Sequence, residues 1–357
     1  MVCCGYDIVR DDNKVKFSLT DSPNGIVIDQ PGVYKVIRDI NWEATKPVAL
    51  SSTTSLGLTG SAITITASDV TLDFQGHTIK QINGILAIFT AGIGSTGGAT
   101  GGITGSTGTI LTIAGSVTSG TLVPGLWLTG SSGPIGSPTA NATRLTTYLP
   151  LNSTGTVGPS QNVTPGTTLY AWAYIKCINI PQLAGPINNV KIIGPGTIRD
   201  FSASAIQVSN PTPTVFSSYG NVFVADGLTV LRCNRRNVGS TSATAIDGAI
   251  IEFNRSVDNV YIQNCTVSEC LNMSCVSIVS AKDILLENNI CSKGYATTNM
   301  VKIVTNSGDV ALGRTTKNLV IRNCIVEDTT MLVYTSLPAS GITFTNIENL
   351  LFENNIV

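Results

Sequence analysis

Along the second half of the chain, apolar residues alternate with polar ones in short runs, and each run reaches an asparagine before a second, shorter apolar run. The pattern reads Asn259-Val-Tyr-Ile-Gln-Asn-Cys-Thr-Val, then Asp283-Ile-Leu-Leu-Glu-Asn-Asn-Ile, then Asn318-Leu-Val-Ile-Arg-Asn-Cys-Ile-Val, then Asn349-Leu-Leu-Phe-Glu-Asn-Asn-Ile-Val. Looser copies start at Asp69, Asn189 and Asn221. Alternation of period two predicts strands with one face buried. From Asn189 onward the starts lie 32, 38, 24, 35 and 31 residues apart, within the range of solenoid repeats, and the irregular spacing predicts coils of constant section carrying loops of different length. Runs such as Ala249-Ile-Ile-Glu-Phe and Cys275-Val-Ser-Ile-Val supply a further strand per coil.

Asn264, Asn288, Asn323 and Asn354 occupy the same place in four successive copies. Stacked at a tight bend, their amides can bond to one another and to the backbone of the next coil, so they are expected to form a structural ladder. Cys265 and Cys324 share the following column with Asn289 and Asn355.

A break in composition interrupts the pattern. Between Asn83 and Tyr170 the one charged residue is Arg144, and Gly, Ser and Thr dominate around apolar clusters such as Ile110-Leu-Thr-Ile and Leu126-Trp-Leu. The expected organisation is an N-terminal cap over 1–24, first coils over 25–82, an inserted β-rich module over 83–172 and the main solenoid over 173–357. The chain stops at Val357 within a repeat strand. An open last coil exposes core and strand edges, so self-association is expected.

The segments Leu72-Asp-Phe-Gln-Gly-His-Thr-Ile and Val190-Lys-Ile-Ile-Gly-Pro-Gly-Thr-Ile resemble early coils of the pectate-lyase-like superfamily, and the Asn-rich repeats resemble its later coils. The resemblance implies an all-β fold, a right-handed parallel β-helix carrying the inserted module. That superfamily includes lyases, glycosidases, viral tailspikes and non-enzymatic surface proteins, so the resemblance leaves function open. The run from Thr109 to Gly130 resembles a short β module common in structural proteins of bacteriophages and large DNA viruses, which implies a viral structural protein.

Composition narrows the function classes. Lys+Arg 21 against Asp+Glu 22 leaves a net charge of −1 and no field for nucleic acid or an anionic membrane. No apolar stretch reaches the roughly 18 residues of a membrane span, and the N-terminus lacks a secretory pattern. Nine cysteines without a C-x-x-C pair predict reduced thiols, hence assembly in a reducing cytoplasm and a final place on a virion or its surface.

Candidate chemistry is sparse. His77, the one histidine, and nearby Asp73 fit turn roles. Asp226, Asp247, Glu252 and Asp258 are the nearest thing to a carboxylate cluster, and none of them sits in a polygalacturonase-like motif. Arg232, Arg235 and Arg236 form the compact basic group, able with Asp226 and Asp258 to meet an anionic glycan. Cys265, Cys270 and Cys275 lack zinc-ligand spacing, so neither metal nor other cofactor is expected. Trp127, Trp172 and Tyr170 can stack on sugars or anchor a small β core. The reading is a non-enzymatic viral surface, capsid-associated or fibre-like component, a homo-oligomer such as a trimer, meeting other virion proteins and a cell-surface glycan. The alternative is a glycan-binding or glycan-cleaving tailspike-like lyase or hydrolase, with Asp226, Asp247, Glu252, Asp258 and Arg235 as its catalytic candidates.

Overall fold

The computed structural model describes residues 5–44, 59–82, 84–94, 108–120, 122, 126–130, 133–134, 143–149, 154–182, 185–209, 220–233, 249–254, 257–269, 274–293, 301–305, 315–327, 342–345 and 347–357. Every regular element among them is a strand, gathered into sheets of 15, eight and seven strands.

One coil shows the plan. Ser274–Val279 lies on the eight-stranded face, the chain turns at Ser280, Lys282–Glu287 runs along the fifteen-stranded face, and Asn288-Asn289 bends it into Ile290–Ser292. The neighbouring coils pair with it in parallel and in register: Val260, Ile284, Leu319 and Leu350 form one file, and Ile251, Val276, Val301 and Ile342 another. The chain is a parallel β-helix. β-branched and aliphatic side chains at alternate positions turn inward from both faces, as Ile284 and Leu286 do from one and Val276 and Ile278 from the other. Phe223 and Phe253 meet edge to face across this core, with centroids 4.8 Å apart.

The coil can bend only where a residue accepts positive φ, and the repeat places asparagine or aspartate there. Asp69, Asn189, Val222, Asn259, Asp283, Asn318 and Asn349 form one such file, all with φ between 53° and 65°. Register shifts the third copy by one residue: Val222, not Asn221, holds the left-handed position. The Asn221 side chain nevertheless stays in the file, its Oδ1 accepting from Asn259 Nδ2.

The second bend carries Gly227, Asn264, Asn288, Asn323 and Asn354, again at positive φ. Gly227 replaces asparagine where the backbone of Gly194 passes closest; a Cβ on Gly194 would lie 2.0 Å from the Gly227 carbonyl oxygen.

At the N-terminus Ile8–Arg10 pairs antiparallel with Lys16–Phe17 on one side and with Gly32–Val36 of the helix on the other, burying Ile8 and Leu19. Buried Asp7 accepts from Thr20 N at 2.6 Å and from Arg38 Nε. The seven-stranded sheet lies within 85–172 and is antiparallel throughout. Its Ile85–Gly94 strand pairs with Gly108–Gly120 and Val163–Trp172, and Phe89, Leu111 and Leu169 are buried in it.

Candidate functional site

The predicted ladder positions sit at the second bend. Asn264 Nδ2 donates to Asp226 Oδ1 at 2.8 Å, and Asn288 Nδ2 donates to Asn264 Oδ1 at 3.1 Å. The Asn323 and Asn354 backbones repeat the geometry, with φ of 54° each. The first bend bears a parallel file that the sequence pattern marked only as a polar start. There Asn189 bonds Asp69, Asn318 bonds Asp283 and Asn349 bonds Asn318 at 2.7 to 2.9 Å.

Inside the second bend a more demanding arrangement holds the coils. Asn289 is buried; its Oδ1 accepts from Cys265 N at 2.9 Å and its Nδ2 donates to Ile262 O at 2.7 Å. Asn355 does the same for Cys324 N and Ile321 O, both at 2.9 Å. Each asparagine thus completes the bend of the coil before it. Cysteine alternates with asparagine because its small apolar side chain fits the same place; Cys265 Sγ lies 3.2 Å from Gln263 O.

A third bend bears charge. Asp200, Arg232, Glu269 and Lys293 follow one another in register, all at positive φ, with alternating sign. Asp200 accepts from Arg199 Nε and Arg232 Nε at 2.8 Å each, and Arg232 Nη1 lies 3.7 Å from Glu269 Oε2. The guanidinium read from sequence as a glycan contact is therefore held between two carboxylates. Arg235 and Arg236 lie outside the described residues, as does Asp247.

The carboxylates are dispersed. Asn221 opposes Asp258 while Asp226 opposes Gln263, so Asp226 and Asp258 stand five positions apart along adjacent strands, roughly 16 Å at about 3.3 Å per residue. That exceeds the roughly 5 to 10 Å spanned by glycosidase carboxyl pairs. Asp258 accepts from Lys282 N at 2.9 Å. Glu252 lies in Ala249–Asn254, on the other face of the helix.

Sequence spacing missed a closer pair: Asp226, Gln263, Glu287, Arg322 and Glu353 form one outward file, so Asp226 and Glu287 are two strands apart, about 10 Å. Glu287 is engaged there. Arg322 Nε donates to it at 2.7 Å and Gln263 Nε2 at 2.9 Å, and these bonds, Arg322 first, hold its carboxyl below the usual range. A general acid for glycoside cleavage needs the opposite shift.

His77 Nδ1 lies 3.4 Å from Asp39 Oδ1, which also accepts from Thr78 N at 2.8 Å. Asp73 accepts from Gln75 N at 3.0 Å and from the Gln75 side chain, a turn arrangement. Trp127 opposes Trp172 and Thr129 opposes Tyr170 in the antiparallel sheet, and Trp172 is buried.

Among the described residues no group of three metal-ligating side chains converges. Among the described residues six cysteines are buried thiols: Cys177, Cys233, Cys265, Cys275, Cys291 and Cys324. Burial pushes the Cys265 thiol up to about 12 and raises Cys177 and Cys324 as well. These groups favour the folded state while the thiol is neutral in both states. That contribution is intact below the ordinary value of 9.0 and fades as pH rises through it toward the folded value. We expect a thiol reagent at pH 8 to leave these six cysteines unmodified until denaturant unfolds the chain, and urea stability to fall between pH 9 and 11. Rapid native labelling of Cys265 would refute this.

No protein-family model and no curated protein matches the chain. Its likeness is to solved phage tailspikes. The tailspike protein gp49 of Pseudomonas phage LKA1 aligns at 12% identity with a TM-score of 0.31, covering 94% of this chain and 56% of that one. The tailspike gp61 of Pseudomonas phage phi297 aligns at 11% identity and 0.27, covering 95% and 56%. The chain therefore spans about 56% of the length of these tailspikes. The A-module of a mannuronan C-5 epimerase from Azotobacter vinelandii aligns at 13% identity and 0.23, covering 94% and 90%.

Proposed function

We propose that this chain is the β-helical shaft of a virion surface or fibre-like component, non-enzymatic and assembled as a homo-oligomer. The observation that carries this reading is how the described candidate side chains are used. Asp226, Asp258 and Arg232 all bond within or between neighbouring coils, and the additional carboxylate Glu287 is fastened to Arg322. Residues 1–24 act as the cap of the helix, and 83–172, which resemble a viral β module, as an insertion.

Self-association is supported by two outward files. One runs Tyr261, Leu285, Val320, Leu351, and the other Ile290, Ile325, Ile356. In the earlier coils the second file is Thr78, Thr197, Thr229 and Thr266. Apolar side chains confined to one lateral stretch suit burial against another subunit.

A second reading is binding of a cell-surface glycan without cleavage. The test of both is incubation of the purified chain with neutral and acidic polysaccharides, following new reducing ends and unsaturated-sugar absorbance, with sedimentation of the same preparation. We expect no product and an oligomer larger than a monomer. Cleavage of any member of the panel would overturn the non-enzymatic reading, and a monomer would overturn the assembly.

A further inference from the structure

The second bend is an edge that runs along the helix axis, because Asn264, Asn288, Asn323 and Asn354 follow strands paired in register. Just before it stand Leu285, Val320 and Leu351, and just after it Ile290, Ile325 and Ile356. All six keep part of their surface open to solvent, Leu351 at 48% and Ile356 at 63%. One edge thus carries an apolar strip on either side, and the two strips occupy the same three coils. In earlier coils neither strip persists. The file before the bend runs back through Tyr261 and Val224 to an exposed Lys191, and the file after it changes at once to Thr266, Thr229 and Thr197.

The outer margins of the strips bear opposite charge. Asp283 lies five residues before Asn288 and Lys293 five residues after it, in one coil and both exposed. Asp283 Oδ1 accepts from Asn318 Nδ2 at 2.7 Å, a bond that leaves its charge unbalanced. Among the described residues neither Asp283 nor Lys293 enters an ion pair, and Glu269, the carboxylate before Lys293 in the charged bend, is turned to Arg232. Within one chain the two charges lie on opposite sides of the edge. Next to the edge Glu287 and Arg322 neutralise each other, which lowers the repulsion between copies brought together there.

We propose that this edge is where a second copy of the chain binds, the strip before the bend of one copy lying on the strip after the bend of the next, with Asp283 paired to Lys293 of the partner subunit. The inference rests on the homo-oligomer reading above and names the surface. Two different strips meet, so the contact is heterologous. Both come from the same coils, so it needs no shift along the axis, and successive contacts close into a ring of parallel helices instead of a filament. Aliphatic side chains leaving water supply the attraction. Charge selects the pairing, since like strip on like strip in parallel helices would set Asp283 against Asp283 or Lys293 against Lys293.

The test uses the full chain and reads assembly by sedimentation, with circular dichroism to confirm that each variant folds. Val320→Glu and Ile325→Glu each put an unpaired charge into one strip, and each is expected to weaken assembly at least about 100-fold. Thr229→Glu, after the bend in an earlier coil, is expected to leave it unchanged. Mixed together, the Val320→Glu and Ile325→Glu chains are expected to form a heterodimer, since one intact strip of each kind remains between them. Carbodiimide, which joins a carboxylate to an amine with loss of water, is expected to link Asp283 to Lys293 between isotope-labelled and unlabelled copies of the unmodified chain. That readout needs no variant, and absence of the link from the oligomer would overturn the contact. Dissociation by only one of the two glutamate variants would overturn it in favour of like strip on like. An oligomer retained by both would put the interface elsewhere while the homo-oligomer reading stood. A monomeric unmodified chain would overturn that reading, and the contact with it.

Discussion

Replacing Phe223 by alanine lowers the unfolding free energy by about 3–5 kcal/mol, the range for deleting a fully buried aromatic side chain. Phe223 is 1% exposed and meets Phe253 at 4.8 Å and 68°, an edge-to-face pair that joins the two sheets across the core. Its loss removes apolar burial, leaves a cavity whose rim is fixed by hydrogen-bonded coils, and strips Phe253 of its partner. Relaxation is limited because each strand is held by a neighbour on both sides, so the upper part of the range is expected. Phe223→Leu keeps most of the volume and is expected to lose less than about 2 kcal/mol. Chemical denaturation monitored by far-ultraviolet circular dichroism measures both. Equal losses for the two variants would show that volume at this position does not matter.

The second large effect is expected at Asn289. Its alanine variant leaves the Cys265 N–H and the Ile262 carbonyl without the bonds that Asn289 now makes at 2.9 and 2.7 Å. Two buried backbone groups lose partners, at about 1–3 kcal/mol each in the general case, so a loss near 3 kcal/mol is expected. Asn289 is 5% exposed, and water cannot easily replace the amide. Asn355 makes the same two bonds to Cys324 and Ile321 but is half-buried. There water can substitute, and Asn355→Ala is expected to lose about 1 kcal/mol. The comparison isolates burial from bond count, because the hydrogen bonds are alike and the surroundings are not. A loss at Asn289 no greater than that at Asn355 would mean that the bend does not depend on the inner amide.

The Asn-x-x-x-x-Asn repeat was readable as a solenoid because two independent constraints act at short range. Alternation of apolar residues is imposed by the pleat, and asparagine at the bends is imposed by positive φ, which few other residues accept. Both leave a mark in a single copy, and repetition amplifies it. The same logic failed by one residue at Asn221. There a valine holds the left-handed position, and only its pairing with Asn189 and Asn259 reveals it.

The charged bend was not readable at all. Asp200, Arg232, Glu269 and Lys293 lie 32, 37 and 24 residues apart in sequence, separated by loops of unequal length, and their alternating signs emerge only when the coils stack. For that reason Arg232 is grouped by sequence with Arg235, Arg236, Asp226 and Asp258, whereas its carboxylate partners in the structure are Asp200 and Glu269. The carboxylates behave likewise. Asp226 and Asp258 are 32 residues apart and invited pairing, yet register sets them five positions apart on adjacent strands and brings Asp226 into the file of Glu287 instead.

What the sequence determined by itself is the coil: strands of period two, bends at asparagine, a buried aliphatic interior. These depend on residues near one another in the chain. What only the tertiary structure decided is which side chains share a file, and so which polar groups neutralise each other and which, like Ser277, are left unpaired. In a parallel β-helix neighbours in space are a whole coil apart in sequence, and loops of variable length erase the spacing that would announce them.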